Sequence, residues 1–197
     1  KREIRNWQVE YATNGIEAPL CNKLQLKNSN INFCTQAGID FGGKTIEAKE
    51  CSLSNNRTGI NISGQTFTVK DFVCTGNKIG MKINNSRGTI KDNEIFSNDT
   101  GLVIAGMSGD VKENLIQKNG VGVYLGGGTS LSYDRSNITC NGVQSESFAM
   151  SNFRLTLQMS GQGEMPLCGK GLRIGKKNIF DHNLIYHIYN NTPDSID

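Results

Sequence analysis

The sequence has little of what marks several functional classes. It contains 3 prolines, 1 tryptophan and 2 histidines in 197 residues, and its longest apolar run spans residues 102–105. A membrane-spanning helix needs about 18 apolar residues or more, so we do not expect membrane insertion. The charge is nearly balanced, since 21 Lys and Arg against 18 Asp and Glu give +3. That balance argues against a nucleic-acid-binding arm or a polybasic membrane anchor.

Glycine and asparagine are abundant instead. The chain has 23 of each, while only 36% of its residues are hydrophobic. Both residue types are unfavourable inside helices and in ordinary strands. The chain is therefore either disordered or makes regular use of turns.

A 21-residue repeat decides between these two. Glycine recurs every 21 residues, at Gly38, Gly59, Gly80, Gly101 and Gly122. Asparagine precedes the last four by three residues, at Asn56, Asn77, Asn98 and Asn119. Apolar residues recur one and three residues after the glycines. A fixed period of this length indicates a solenoid.

The pattern inside one period predicts which solenoid forms. Apolar residues come in short alternating pieces separated by Gly, Ser or Asn, which is the periodicity of strands, and no piece is long enough for a helix. We therefore expect an all-β fold, a single-stranded parallel β-helix of roughly eight coils spaced about 4.8 Å apart. The whole chain, 1–197, is expected to be one domain. Its parts are an N-terminal cap or irregular coil (1–14), regular coils (15–142), an irregular insertion (143–168), and a last coil and tail (169–197).

Two segments carry a family resemblance. The stretches 90–98 (IKDNEIFSN) and 111–125 (VKENLIQKNGVGVYL) resemble the right-handed parallel β-helix repeats of the pectate-lyase-like superfamily. The resemblance covers about residues 14–142 and returns at 169–192. It implies the fold but no single activity, because the superfamily includes lyases, hydrolases, epimerases, adhesins and scaffolds. Together with six Asn-x-Ser/Thr sequons, the fold favours an extracellular, cell-surface or periplasmic location.

The repeated asparagines are predicted to form a ladder at one turn of each coil. Asparagine tolerates the left-handed backbone of sharp turns, and its amide can bond to the next coil. Asn93 and Asn114 form a shorter second row, which Phe72 interrupts.

Two rows of charge are also in frame. Lys49, Lys70, Lys91 and Lys112 share one frame, with Lys27 as a further member, and each of the four is followed by an acid. Glu50, Asp71, Asp92 and Glu113 form this acid row, and Asp134 is a candidate to continue it. We expect interleaved ion pairs on a solvated face. The alternative is a Ca²⁺ site, but Ca²⁺ needs six to eight oxygen ligands and the adjacent lysines argue against it, so no cofactor is expected.

One outward row on the glycine-initiated strands is the candidate binding site. It comprises Glu17, Asp40, Asn61, Lys82, Val103, Tyr124 and, after the break in the rhythm, Arg173. Tyrosine can stack on a pyranose ring, while Lys and Arg can hold uronic carboxylates. Carbohydrate-binding candidates are therefore Asp40, Asn61, Lys82, Tyr124 and Arg173. The alternative interpretation is an ordinary solvated sheet face.

The sequence offers few other candidates for metal-binding or catalytic residues. The six cysteines show neither a CxxC pair nor a Cys/His metal spacing, so no metal site is expected. Cys74 shares a frame with apolar residues and should be a buried thiol. A disulfide between Cys140 and Cys168 would restrain the insertion. The only histidines, His182 and His187, are weak acid/base candidates, and the signature segments of superfamily hydrolases, lyases and epimerases are absent.

The function expected from the sequence is binding. We expect a secreted or surface-exposed module that binds a polysaccharide or surface glycan, or acts in adhesion. The first alternative is a polysaccharide lyase or hydrolase acting in the groove beside the glycine-initiated sheet. The second is a structural spacer within a larger surface protein, since the chain begins and ends abruptly.

Overall fold

The computed structural model describes residues 2–126, 129–139 and 141, and three short strands at 158–159, 172–174 and 179–181. Three parallel sheets run along the molecule, and the chain visits them in turn once per coil. This is the predicted all-β parallel solenoid. No helix long and apolar enough to cross a membrane occurs among these residues.

Neighbouring strands within each sheet belong to successive coils. Sheet A consists of β1 (Arg2–Arg5), β4 (Lys23–Lys27), β7 (Thr45–Lys49), β10 (Thr66–Lys70), β13 (Arg87–Lys91), β16 (Ser108–Lys112), β19 (Ser130–Asp134) and β22 (Leu172–Ile174). Sheet B consists of β2 (Gln8–Glu10), β5 (Asn30–Asn32), β8 (Ser52–Ser54), β11 (Val73–Thr75), β14 (Glu94–Phe96), β17 (Leu115–Gln117), β20 (Asn137–Thr139) and β23 (Ile179–Asp181). Sheet C consists of β3 (Ile16–Ala18), β6 (Ala37–Phe41), β9 (Thr58–Ile62), β12 (Ile79–Asn84), β15 (Thr100–Ala105), β18 (Val121–Leu125) and β21 (Gln158–Met159).

The core is a set of apolar columns inside the three sheets. The two sheet C columns predicted from the repeat are fully or almost fully buried: Ile39, Ile60, Met81, Leu102 and Val123, and Phe41, Ile62, Ile83, Ile104 and Leu125. Cys74 is completely buried in a sheet B column with Leu53, Ile95 and Ile116. Each coil alone exposes one side of these residues, so stacking removes apolar surface that no single coil could bury.

The glycine row exists because successive coils approach closely there. A Cβ built on Gly59 would overlap the carbonyl oxygen of Gly80, and one on Gly80 would lie 2.6 Å from that of Gly101. Both approaches are closer than non-bonded atoms tolerate. Only glycine therefore fits this position in consecutive coils without a shift of the backbone.

The asparagine ladder lies buried at the corner between sheets B and C, which we call corner BC. The backbone N–H of Asn56 donates to Oδ1 of Asn77 (2.8 Å), and that of Asn77 donates to Oδ1 of Asn98 (2.9 Å). The ladder continues through Asn119 to Asn141, whose Oδ1 accepts from the Asn119 N–H at 3.1 Å. These side chains satisfy backbone groups that the turn would leave unpaired in the core.

A second row is buried at the corner between sheets A and B, which we call corner AB. The Asn93 N–H donates to Oδ1 of Asn114 (3.1 Å), and the Phe72 N–H donates to Oδ1 of Asn93 (2.9 Å). Ser136 extends the row, since its hydroxyl oxygen accepts from the Asn114 N–H at 3.1 Å. The predicted second row is confirmed, with Phe72 in the interrupting position.

Strands near both ends of the chain pair with strands of the regular coils. The segment predicted as a cap or irregular coil contains β1 and β2, which pair in register with the next coil. Within the predicted insertion, residues 158–159 form β21, beside β18. Strands also form at 172–174, in sheet A, and at 179–181, in sheet B. Cys140, Cys168, His182 and His187 lie outside the described residues.

Candidate functional site

The predicted outward row of sheet C is a continuous line of side chains, which we call the face C row. Strand pairing places one member on each coil, in the order Glu17, Asp40, Asn61, Lys82, Val103 and Tyr124. All but Glu17, which is exposed, are half-buried. The structure therefore brings Asp40, Asn61, Lys82 and Tyr124 onto one face, as predicted.

Arg173 does not belong to the face C row. Its strand β22 joins sheet A, where Arg173 pairs with Ser132, and the partner of Tyr124 in sheet C is Gln158. The prediction was wrong because it continued the row from Tyr124 to Arg173, although the strand that follows β18 in sheet C is β21.

Asp40 and Asn61 form a polar pair at the N-terminal end of the row. Asn61 Nδ2 donates to Asp40 Oδ1 at 2.8 Å. Within the described part of the chain, Asn61 Oδ1 is buried without a hydrogen-bond partner. An unsatisfied buried acceptor costs about 1–3 kcal/mol.

Lys82 is the cation of the face C row. Its neighbours across the strands are Asn61 and Val103, so no acid stands beside it in the sheet. Among the residues that the structure describes, it takes part in no ion pair with an acid. Tyr124 lies two coils away, roughly 10 Å along the row at the usual strand spacing. A cation and an aromatic ring thus share one face at a separation that a short oligosaccharide could span.

The lysines of sheet A are arranged differently. Arg5, Lys27, Lys49, Lys70, Lys91 and Lys112 occupy one register position on consecutive strands. Each of the four lysines from 27 to 91 lies within 4 Å of at least one acid of the adjacent row. For example, Lys70 Nζ lies 3.4 Å from Asp71 and 3.6 Å from Asp92, so it bridges two coils. We call these two rows the charge ladder, and the predicted interleaved ion pairs are confirmed.

The acids of the ladder are held in their charged form. A hydrogen bond from Lys91 lowers the pKa of Glu113, and the charges of Arg135 and Lys91 lower it further against the opposing effect of desolvation. Desolvation raises the pKa of Glu50, but the hydrogen bond from Lys27 and the nearby lysine charges outweigh it, so the net shift is downward. These carboxylates are therefore already engaged by cations of the protein.

Asp134 does not continue the acid row. It pairs with Lys112 and so occupies the lysine position, while Arg135 takes the acid position and contacts Glu113 at 2.5 Å. The order of the two charges is reversed in this last coil. Among the described residues, no three or more His, Cys, Asp or Glu side chains converge as a metal site would require.

A groove of about 190 Å³ lies outside sheet A at its N-terminal end. Its polar lining includes Glu3, Gln25 and Glu47, together with cations of the charge ladder. Lys23 Nζ contacts Glu47 Oε1 at 2.5 Å, and Gln25 Nε2 donates to Glu47 Oε2 at 2.7 Å. This groove therefore lies on sheet A.

Two exposed aromatic residues occupy corner BC in the first two coils. Tyr11 and Phe33 are stacked, with ring centroids 5.2 Å apart and planes inclined by 8°. Tyr11 is 77% exposed and Phe33 43% exposed. Both residues have positive φ, 57° and 56°. We call this pair the aromatic corner. The sequence analysis missed it, although the 22-residue spacing of the two residues was a usable signal.

The aromatic corner is not explained by stability alone. A left-handed backbone costs roughly 1–2 kcal/mol for each residue other than glycine, so the two together lose about 2–4 kcal/mol. A stacked aromatic pair contributes about 0.5–1.5 kcal/mol. Tyr11 gains little more from burial, since most of its surface is in solvent. The same position in the next two coils holds Asn55 and Gly76, which adopt this conformation more easily.

The described cysteines are free thiols with a structural role. Cys34, Cys51 and Cys74 are buried, and Cys21 is half-buried. Burial is the main cause that raises the pKa of Cys51 to about 11, and it raises that of Cys74 further. A protonated buried thiol is a poor nucleophile, so Cys51 and Cys74 are not candidates for catalysis.

Comparison with known proteins adds the family. No curated protein and no solved structure matches the chain significantly. A family model described as "right handed beta helix region" matches residues 1–143, the greater part of the chain and all of the regular coils described above. The chain therefore belongs to the right-handed β-helix family.

Proposed function

We propose that this protein is a secreted or surface-exposed β-helix module that binds carbohydrate or acts in adhesion, through the face C row. The observation that carries the proposal is the difference between the two charged faces. The lysines of the charge ladder are engaged by acids of the protein, whereas Lys82 has no acid beside it in sheet C. A half-buried cation without an acid beside it is suited to a carboxylate of a ligand.

The other members of the row support this proposal. Tyr124 offers a ring on which the apolar face of a pyranose can stack. Asp40 offers carboxylate oxygens to sugar hydroxyl groups, and it is held in place by the hydrogen bond from Asn61 Nδ2. Side chains on consecutive coils repeat at about 4.8 Å. An extended glycan lying along the row can therefore meet one side chain after another.

Binding is tested with a panel of acidic and neutral polysaccharides. Lys82→Gln should weaken binding of a uronic oligosaccharide about 10- to 100-fold, because a hydrogen bond to a charged group contributes about 1.5–3 kcal/mol. Tyr124→Ala should weaken it as well, while Tyr124→Phe should keep most of the affinity, since the ring remains. Lys44→Gln removes an exposed lysine immediately before strand β7 of sheet A and serves as the matched control.

Three outcomes would overturn the proposal. If no glycan on the panel is retained by the wild-type protein, the spacer hypothesis gains. If unsaturated or reducing ends appear in acidic polysaccharides incubated with the protein, with or without Ca²⁺, the module is an enzyme. Equal loss in Lys44→Gln and Lys82→Gln would show that binding depends on net charge and not on this face.

A further inference from the structure

The aromatic corner differs from every other described coil at the same turn. The left-handed residue of corner BC is, in chain order, Tyr11, Phe33, Asn55, Gly76, Ser97 and Lys118. Only the first two are aromatic, and they are adjacent. The stack therefore continues along the solenoid axis for two coils and leaves the ring of Tyr11 largely open to solvent.

Two exposed acids, Glu10 and Glu17, flank Tyr11 in the first coil, and the exposed Arg57 lies at the same corner one coil beyond Phe33. Glu10 precedes Tyr11, is exposed and accepts a hydrogen bond from Gln8 Nε2 at 3.2 Å. Glu17, on the next strand, is exposed and accepts from Asn14 Nδ2 at 3.0 Å. Such carboxylates accept hydrogen bonds from hydroxyl groups and repel anionic ligands. The charge of these two acids is thus opposite to that of Lys82.

We propose that Tyr11 and Phe33 form a second carbohydrate contact, which takes neutral pyranose oligosaccharides. The apolar face of the sugar packs on the Tyr11 ring and so extends the Tyr11–Phe33 stack by one layer. Hydroxyl groups at the sugar edge donate to Glu10 and Glu17. The inference extends the proposed carbohydrate binding, on which it rests for its ligand class, but it shares no aromatic or cationic residue with Lys82 and Tyr124.

The backbone allows a clean test of this contact. A double variant carries Tyr11→Asn and Phe33→Asn. Asparagine is the residue type found at the same turn in the coil after Phe33, at Asn55. Asparagine accepts the left-handed conformation, so the fold should be kept and the urea midpoint should stay equal or rise. A purely structural aromatic pair would instead show a lower midpoint.

The experiment is a titration of the wild-type chain with neutral cellohexaose and xylohexaose, and separately with an oligogalacturonate, followed by the NMR signals of the aromatic rings. We expect shifts of the Tyr11 and Phe33 rings with a neutral oligosaccharide. The double variant should bind it about tenfold more weakly, as expected for the loss of one stacking contact. Lys44→Gln, the control used above, should leave neutral binding unchanged.

The outcomes separate this inference from the proposed function. If the oligogalacturonate binds through Lys82 but neither neutral oligosaccharide shifts Tyr11 or Phe33, the aromatic corner is not a sugar contact and the face C row stands. If only the neutral sugars bind, and the double variant loses them, the corner stands and the face C row fails. Unchanged neutral affinity in the double variant, or no binding of any oligosaccharide, overturns the inference.

Discussion

Asn98 offers the sharpest test of how the coils are held together. This side chain lies in the middle of the asparagine ladder and is 4% exposed. Its Oδ1 accepts from the backbone N–H of Asn77 at 2.9 Å and from Nδ2 of Asn77 at 3.0 Å. Its Nδ2 donates at 3.0 Å to the carbonyl oxygens of Cys74 and Phe96 and to Oδ1 of Asn119. Asn98→Ala removes all five bonds.

The expected cost follows from which groups lose a partner. The buried N–H of Asn77 loses the acceptor that its turn provides, and an unsatisfied buried donor costs about 1–3 kcal/mol. The remaining bonds contribute about 0.5–1.5 kcal/mol each, although the groups left behind retain some other partners. We expect a loss of about 3 kcal/mol in the free energy of unfolding. With a urea m-value of about 2 kcal/mol/M, the midpoint falls by about 1.5 M.

The assay is urea unfolding followed by circular dichroism and by the fluorescence of the single tryptophan. Asn30→Ala is the matched control, because Asn30 is exposed in strand β5, and such surface changes stay within about 0.5 kcal/mol. If Asn98→Ala loses no more stability than Asn30→Ala, the ladder does not hold the coils together and the reasoning is refuted.

A second variant separates hydrogen bonding from lost volume. Asn98→Asp keeps the size of the side chain and one acceptor oxygen but turns the donor into a carboxylate that faces carbonyl oxygens. Burial beside acceptors raises the folded-state pKa of the new carboxyl above its unfolded value of about 3.9. The folded state then favours the protonated form, so the variant is least impaired below that value and loses stability as the pH rises. If volume alone mattered, the stability of Asn98→Asp would follow the same pH dependence as that of the wild type.

Three further predictions address other parts of the structure. Glu113→Gln should reduce the loss of stability that the wild type shows below about pH 4.3. The lowered pKa of Glu113 stabilises the folded state above that pH, and this stabilisation is lost as the pH falls. Urea midpoints between pH 7 and 3 measure the difference between the two proteins. Gly59→Ala should destabilise by about 1–3 kcal/mol, since its Cβ would overlap a backbone oxygen, while Gly42→Ala, with 3.2 Å available, should lose less in the same assay. Alkylation with iodoacetamide at pH 8, mapped by mass spectrometry, should label Cys21 before Cys51, whose pKa burial raises to about 11; labelling at equal rates would contradict the buried position.

The sequence predicted the fold because the repeat constrains every inward position. A glycine, an asparagine and two apolar residues recur in frame since each meets the same neighbour one coil away. The ladder reaches further than predicted: Asn141 follows Asn119 by 22 residues instead of 21, so it lay outside the frame. The same longer coil explains why Asp134 occupies the lysine position of the charge ladder. Leu125 pairs with Ile104, which lies 21 residues earlier, whereas Ser130 pairs with Ser108, which lies 22 residues earlier.

That single extra residue lies in the turn after Leu125, where the sequence has three consecutive glycines. A glycine-rich turn can absorb an added residue without disturbing the strands on either side, so counting along the sequence does not reveal it. A shift of one residue is nevertheless decisive, because it moved Asp134 from the acid position to the lysine position. Arg173 was misplaced for a different reason, because β21 and not β22 follows β18 in sheet C.

The stacking of the coils does not constrain the outward positions of the sheets. The residues found there are therefore informative about function. On sheet A the outward charges are largely balanced against each other within the protein, so the charge ladder is explained without a ligand. The face C row and the aromatic corner are not explained in this way: one holds a cation without a neighbouring acid, and the other holds aromatic rings at a backbone position that disfavours them. Because neither is required by the stacking of the coils, substitutions there should change binding while the urea midpoint stays near that of the wild type. Substitutions in the ladder should do the reverse, and lose binding only when the fold is lost.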